Sequence, residues 1–274
     1  MNKLLPKIIG FVLNIVGFLD VKQASQWALD LFSKPLKGRF KTPHSTLEEA
    51  LKIKLSYDGM DIQTYQWKGQ NETVLLAHGW ESNSGRWKNT IIRLQKLDYN
   101  IVALDAPAHG ASGSAAFNAV LYSKFIEVVC EKFKPTALIG HSVGGMAISF
   151  FLKNSDYPLA KKLILLGAPA GFPGIFKNYT DLMGFNSRVQ KGIEARIIEK
   201  FGFPSSHFNT AKFLRNTTCS GLIVHDKRDP IIPFSDALEI EASYENSTLI
   251  STSGLGHGLK SKKVVDAIVD FLKG

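Results

Sequence analysis

Leu138-Ile139-Gly140-His141-Ser142-Val143-Gly144-Gly145-Met146-Ala147 sets a short apolar run directly before Gly-x-Ser-x-Gly and a helix-forming stretch directly after it. A serine in that context occupies a strained turn at the carboxyl end of a strand. The flanking glycines let that turn pass neighbouring backbone without a Cβ clash. On this reading Ser142 is exposed at the sheet's edge, with its hydroxyl at the amino end of the following helix. A hydroxyl is a poor nucleophile at neutral pH, so a base must accept its proton and a third group must fix the tautomer of that base.

The chain has seven histidines, and in the order serine, acid, histidine only His207, His225 and His257 lie beyond Ser142. His257 is the candidate base. It sits in Gly254-Leu-Gly-His-Gly-Leu259, a flexible loop between the last strand and the final helix, from which a ring can reach over the sheet edge. The acid should follow the strand Gly221 to His225, where Asp226 and Asp229 compete. Asp229, followed by Pro-Ile-Ile-Pro, leaves the strand and turns back rigidly, so it is assigned the role; Asp226, flanked by Lys227 and Arg228, is read as making a local charge contact. An attacked carbonyl also needs two main-chain donors for its oxyanion. Val143 supplies one, and Trp80, in His78-Gly79-Trp80 after an earlier strand, supplies the other, its side chain and that of Trp87 being free to serve as packing aromatics.

Around these motifs, Leu51 to Tyr57 and Met60 to Trp67 alternate apolar and polar residues about Asp58-Gly59, which reads as a β-hairpin. Short apolar runs follow at Val74 to Ala77, Ile101 to Leu104, Ala137 to Ile139, Leu163 to Leu166, Leu222 to Val224 and Thr248 to Ile250, separated by helical stretches. Such runs suit strands buried on both faces, so the expected fold is α/β, a doubly wound and mostly parallel sheet. The interval from Leu166 to Leu222 is too long for a simple crossover and carries a helical pattern through Val189, Ile193, Ile197 and Phe201. It is read as a helical cap insertion over residues 170–216.

Taken together, His78-Gly79, Asp105-Ala-Pro-Ala-His-Gly-Ala-Ser112, Gly140 to Gly144, Asp229-Pro-Ile-Ile-Pro233 and Gly256-His257 resemble the α/β-hydrolase superfamily, of the serine-hydrolase, esterase- or lipase-like type. The resemblance runs from about Leu51 to the carboxyl terminus. It implies an eight-stranded sheet, a lid after the sixth strand and hydrolysis through an acyl-enzyme. It makes His109 structural, and it marks Ala108 as a departure, since relatives usually carry glycine there. Domain boundaries follow: residues 1–50 as an N-terminal helical extension outside the family's core, and 51–274 as the hydrolase domain.

The expected function is a serine hydrolase acting on a carboxylic ester or thioester, with Ser142, Asp229 and His257 as triad and no metal or cofactor. A C–C bond hydrolase, an acyltransferase, a perhydrolase or a non-catalytic binding protein on this fold are the alternatives. The 18 phenylalanines favour a substrate with an apolar acyl part.

Composition excludes a disordered chain, a collagen, a coiled coil and a multispan membrane protein: the chain is 45% hydrophobic and 21% charged over 274 residues. The two cysteines, Cys130 and Cys219, lie far apart and read as free thiols of a reducing, cytoplasmic setting. The net charge of +9 is unevenly placed, with +5 in residues 1–54, +4 in residues 171–218 and none in the remainder. No phosphate loop, basic recognition helix or aromatic run accompanies it, so nucleic acid is not an expected partner.

In residues 1–22, Lys3, Lys7, Gly10, Asn14 and Gly17 form a narrow polar stripe, and Leu4, Leu5, Ile8, Val12, Ile15, Val16 and Leu19 cover the other face. A helix so apolar must be covered, either by the protein's own body or by peripheral contact with the inner membrane surface. A second helix carrying Ala24, Trp27, Ala28, Leu31 and Phe32 ends before Pro35.

Overall fold

Asp58 and Gly59 both take positive φ (48° and 71°), the mirror-image turn whose twist matches that of paired strands. The alternating runs on either side therefore close into a hairpin, β1 (Leu51–Tyr57) and β2 (Met60–Trp67), with Tyr57 opposite Met60. The computed structural model describes residues 4–39, 45–155 and 157–274. Six further strands follow: β3 (Asn71–Ala77), β4 (Tyr99–Leu104), β5 (Ala137–His141), β6 (Lys162–Leu166), β7 (Ser220–Asp226) and β8 (Ser247–Thr252). They form one open sheet in the order β1-β2-β4-β3-β5-β6-β7-β8, parallel except where β2 meets β1 and β4. This is the eight-stranded doubly wound sheet expected from the sequence.

The helices, in chain order, are α1 (Leu4–Leu19), α2 (Val21–Ser33), α3 (Ser45–Glu48), α4 (Lys88–Gln95), α5 (Ala119–Phe133), α6 (Val143–Asn154), α7 (Phe172–Met183), α8 (Ser187–Phe201), α9 (Thr210–Leu214), α10 (Phe234–Ser243) and α11 (Lys262–Lys273). Strand side chains alternate between two cores. Leu75, Leu138 and Leu163 pack with Phe125 and Ile148 of α5 and α6; Val74, Ile139 and Ile164 pack with Ile91 and Ile268 of α4 and α11. Because β4 lies on one side of β3 and β5 on the other, successive connections depart in opposite directions. That switch opens a crevice at the carboxyl ends of the central strands, the place where such sheets hold their ligands.

The chain divides into two compact units: Pro35–Ala170 with Thr210–Gly274, which holds the sheet, and Met1–Lys34 with Gly171–Asn209, which holds α1, α2, α7 and α8. Within the helical unit Val189, Ile193 and Ile197 point inward from α8 as their spacing requires, and meet Leu13, Ala24, Ala28 and Leu29. On α2, Trp27 and Leu31 were expected inward and instead remain exposed, while Ser25 and Leu29 are buried. The cause is a close helix crossing: a Cβ on Gly192 of α8 would lie 3.0 Å from Ser25 and from Val21, so the small residues set the rotation of α2.

Helix α1 is rotated in the same sense. Its small and polar stripe faces inward, with Gly10, Leu13 and Gly17 buried. The Asn14 side chain donates to the Gly184 carbonyl and accepts from the Asn186 amide, both at 2.9 Å. The apolar face that should have needed covering looks outward.

Two glycines separate strain from crowding. At Gly59 an added Cβ meets nothing within 4 Å, so Gly59→Ala should cost only backbone strain, about 1 kcal/mol. At Gly221 the added carbon would meet the Tyr244 ring, a fully buried side chain, and Gly221→Ala should lower the urea midpoint several times more.

Candidate active site

Strand β5 ends at His141, and the next residue has φ 53° and ψ −127° before α6 begins. The turn is sharp because glycines surround it. A Cβ on Gly140 would collide with Gly145, and one on Gly144 would collide with the carbonyls of Ala77 and His78 in β3 and beyond it. The Ser142 amide still donates to the Leu166 carbonyl at 2.9 Å, extending the β6 ladder by one bond. Ser142 itself is only 6% exposed. The turn reading had it exposed; Gly79 and the His257 ring cover it, a Cβ on Gly79 falling 3.0 Å from the serine Cβ.

The residues singled out as base and acid meet at this serine. His257 Nδ1 donates to Asp229 Oδ2 at 2.7 Å, and Ser142 Oγ donates to His257 Nε2 at 2.9 Å. The carboxylate thereby selects the tautomer whose Nε2 lone pair faces the hydroxyl. Asp229 is held in turn: its Oδ1 accepts from the Ile231 and Ile232 amides at 2.8 and 3.1 Å, and buried His225 donates to the Ile232 carbonyl. Of the other histidines considered, His225 is thus part of the acid's turn, and His207 lies in the helical unit.

Asp226 corrects the sequence reading. It makes no local charge contact with its basic neighbours' side chains but is buried beneath the loop that carries the base. It accepts from Thr252 Oγ1 (2.7 Å), Leu255 N (2.8 Å), Arg228 N (2.9 Å) and Gly254 N (3.2 Å). Burial opposes its charge, but these four donors hold its carboxyl well below the usual carboxylate range.

Two further side chains, missed in the sequence, grip the same loop. His141 Nε2 donates to the His257 carbonyl at 2.8 Å, and Arg86 Nη2 donates to the Gly258 carbonyl at 3.0 Å. Consecutive carbonyls at the base are therefore fixed from β5 and from the turn after β3. No spacing rule announces either contact, because each spans more than one hundred residues.

On the other side of the serine, among the described residues neither the Trp80 nor the Val143 amide has an acceptor. The Trp80 ring packs edge-on against His109 and Phe117, so its side chain is structural. His109 accepts from the Glu81 amide at 3.0 Å and donates to the Pro107 carbonyl, fixing the backbone beyond Trp80. Ala108 has φ 62°, the left-handed region in which glycine costs least, which explains why glycine is the usual residue there. Below, Asp105 accepts from Ser84 N and Oγ, Ala111 N and Tyr65 OH, and burial raises its pKa. His78 accepts from the Ala106 amide and donates to the Gly79 carbonyl, and burial pushes its pKa down to about 3.

The arrangement provides a hydroxyl with its proton directed at a base, a buried acid behind that base, and two amides without an acceptor, one on the residue after the serine and one on the residue after Gly79, which packs against the serine. Among the described residues no group of three or more His, Cys, Asp or Glu is placed to hold a metal ion.

A family model described as "Alpha/beta hydrolase family" matches residues 74–218. A bifunctional esterase/perhydrolase of Acinetobacter calcoaceticus is 23% identical over 264 residues, covering 78% of this chain and 96% of that protein. A serine hydrolase-like protein of Danio rerio is 32% identical over 131 residues, which span 45% of this chain but only 37% of the relative's length. Among solved structures, an esterase from Exiguobacterium antarcticum superposes with a TM-score of 0.63 at 22% identity, over 79% of this chain and 97% of that one, a likeness of fold.

Burial makes a pH prediction here. The pKa of His141 lies well below 6.5 and that of His78 at about 3, both because burial penalises the charged ring. Below about pH 6.5 the unfolded chain binds these protons and the folded chain does not, so stability present above that pH is lost as the pH falls toward 3. Asp105, with its raised pKa, acts in the opposite sense and offsets part of the loss. The urea midpoint should fall between about pH 7 and about pH 5. His141→Gln, which keeps a donor for the His257 carbonyl and removes the titration, should show a smaller fall.

Proposed function

The chain belongs to the alpha/beta hydrolase family, and from that premise we propose that it is a serine hydrolase cleaving a carboxylic ester or thioester through an acyl-enzyme. The observation that carries this reading is the hydrogen-bonded chain from Ser142 through His257 to Asp229. Ser142 Oγ attacks the carbonyl carbon while His257 Nε2 takes its proton, and Asp229 stabilises the imidazolium that forms. The carbonyl oxygen, now an oxyanion, is held by the Trp80 and Val143 amides, which have no other acceptor to lose. Collapse of this intermediate expels the alcohol or thiol with the proton from His257. Water then enters, gives a proton to the same nitrogen, attacks the acyl-enzyme and releases the acid with Ser142 restored. No step calls for a metal or cofactor.

The substrate we favour is a small-molecule ester with an apolar acyl part, supported by the phenylalanine-rich composition. A cytoplasmic location belongs to the same proposal, supported by two cysteines that are buried free thiols. Perhydrolysis is the second reading, favoured by the bifunctional esterase/perhydrolase relative: hydrogen peroxide in place of water at the acyl-enzyme would yield a peracid. Turnover with and without peroxide separates the two.

A fluorophosphonate probe should label wild-type protein at Ser142 and leave Ser142→Ala unlabelled, with p-nitrophenyl esters of graded chain length reporting turnover. His257→Ala should lose nearly as much activity alone as combined with Ser142→Ala, because members of such a chain act as a unit. Asp229→Asn should lower kcat by several orders of magnitude, on the order of 10⁴ as in other triads, by favouring the wrong tautomer. Folded protein that resists the probe would support a binding protein and sink the hydrolase.

A further inference from the structure

Helix α1 is docked by the side that ordinarily faces solvent. A Cβ on Gly10 would collide with the Met183 carbonyl, and one on Gly17 would lie 2.8 Å from a Val189 methyl. Asn14 bonds main chain at Gly184 and Asn186. Backbone contact this close admits one rotational setting of the helix, since a quarter turn would drive side chains into the α7 carbonyls. The consequence is an outward arc of about 140° in which Leu5, Ile8, Phe11, Val12, Ile15 and Phe18 are each 49–68% exposed.

This surface is concentrated. Of the 19 large hydrophobic side chains exposed among the described residues, 13 belong to the helical unit, although the sheet unit is far larger. A contiguous apolar patch of that kind marks an interaction site. The only charged side chain of α1 is Lys7, at the border of the arc, and no acidic residue occurs in the first 19 positions.

We propose that the outward face of α1 docks on the surface of an anionic phospholipid bilayer, with the helix axis in the membrane plane. The orientation follows from length. Sixteen residues rise about 24 Å, less than the ~30 Å hydrocarbon core a span must cross, and no helix among the described residues is long and apolar enough to cross a membrane. The occupant follows from charge. A second copy would set Lys7 against its like and bring another net-positive chain, whereas anionic headgroups complement Lys7, Lys22 at the start of the next helix, and the net charge of +9 that the chain carries as a whole.

Co-sedimentation of the full chain with vesicles of phosphatidylcholine containing about one-third phosphatidylglycerol tests this, with pure phosphatidylcholine vesicles as the comparison. The wild-type chain should pellet with the anionic vesicles, more than tenfold better than with neutral ones, and the difference should shrink in high salt. Phe11→Glu combined with Ile15→Glu should lower binding at least tenfold while leaving the melting temperature and hydrolysis of a soluble ester unchanged, since both side chains face outward. Lys7→Glu, a milder change, should weaken binding to anionic vesicles alone. Ser142→Ala should bind as wild type, which keeps this test separate from that of the chemistry. Wild-type protein remaining in the supernatant would overturn the proposal. So would a concentration-dependent dimer in sedimentation velocity that the double substitution disperses, because the occupant would then be a second copy.

Discussion

The backbone at Ser142 is the constraint on which the rest of the sheet unit depends. A non-glycine residue at φ 53°, ψ −127° is intrinsically unfavourable, on the order of 1–3 kcal/mol, and persists only where its surroundings over-determine it. Here they do. The preceding residue is the last of a strand paired on both sides, the serine amide continues the ladder to Leu166, and the following helix is packed against β3 through glycines that leave no other path. Replacing one of those glycines would push the helix off β3, and the serine would relax. The strain is thus held by hydrogen bonds and packing of β3, β5 and β6 together, which is why the site sits at the switch point where those strands meet.

The two aspartates after β7 show how one loop divides an electrostatic task. Both are buried, and each is supplied with amide donors, yet they face different ways. Asp226 spends its lone pairs on Thr252, Gly254, Leu255 and Arg228 and so shapes the approach to His257. Asp229 gives one oxygen to its own turn and keeps the other for His257. Exchanging their roles would leave either the loop or the imidazole without a partner, since neither carboxylate has oxygen to spare. His141 and Arg86 add donors to the carbonyls of residues 257 and 258, so the base's main chain is fixed from two elements while its ring stays directed along the Asp229–Ser142 line.

What was legible in the sequence is what local chemistry forces. The Asp58-Gly59 turn, the buried strand runs, the α8 pattern and the glycine-framed serine each express a backbone or periodicity requirement within a few residues, and each appears where the sequence placed it. The chain of contacts from Ser142 to His257 and from His257 to Asp229 was readable because loop order and chemistry narrow three histidines and two aspartates to one arrangement. The burial of Ser142, the grip of His141 and Arg86, and the buried role of Asp226 were not readable. They depend on which atoms come together across the sheet, and an aspartate followed by Lys227 and Arg228 looks like a surface charge until the strand beside it is seen.

The rotation of α2 was missed for a different reason, and for α1 the sequence left two covers open, the protein's own body or a membrane surface. Amphipathic reading assumes that the apolar face is the one that packs, because burial of apolar area usually dominates. At a glycine the calculation changes: two backbones can approach within contact, main-chain carbonyls can be met by an asparagine amide, and the number of close atom pairs rises enough to compete with burial of large side chains. Gly10 and Gly17 on α1, and Gly192 on α8 against Ser25, are such places. A helix packed through its small residues then turns its large ones outward as a geometric necessity. In water that outcome is costly, and it persists across sixteen residues with a single charge at the margin. The same residues that make the helix poorly suited to solvent would suit a surface that excludes water, which is what the proposed docking would supply.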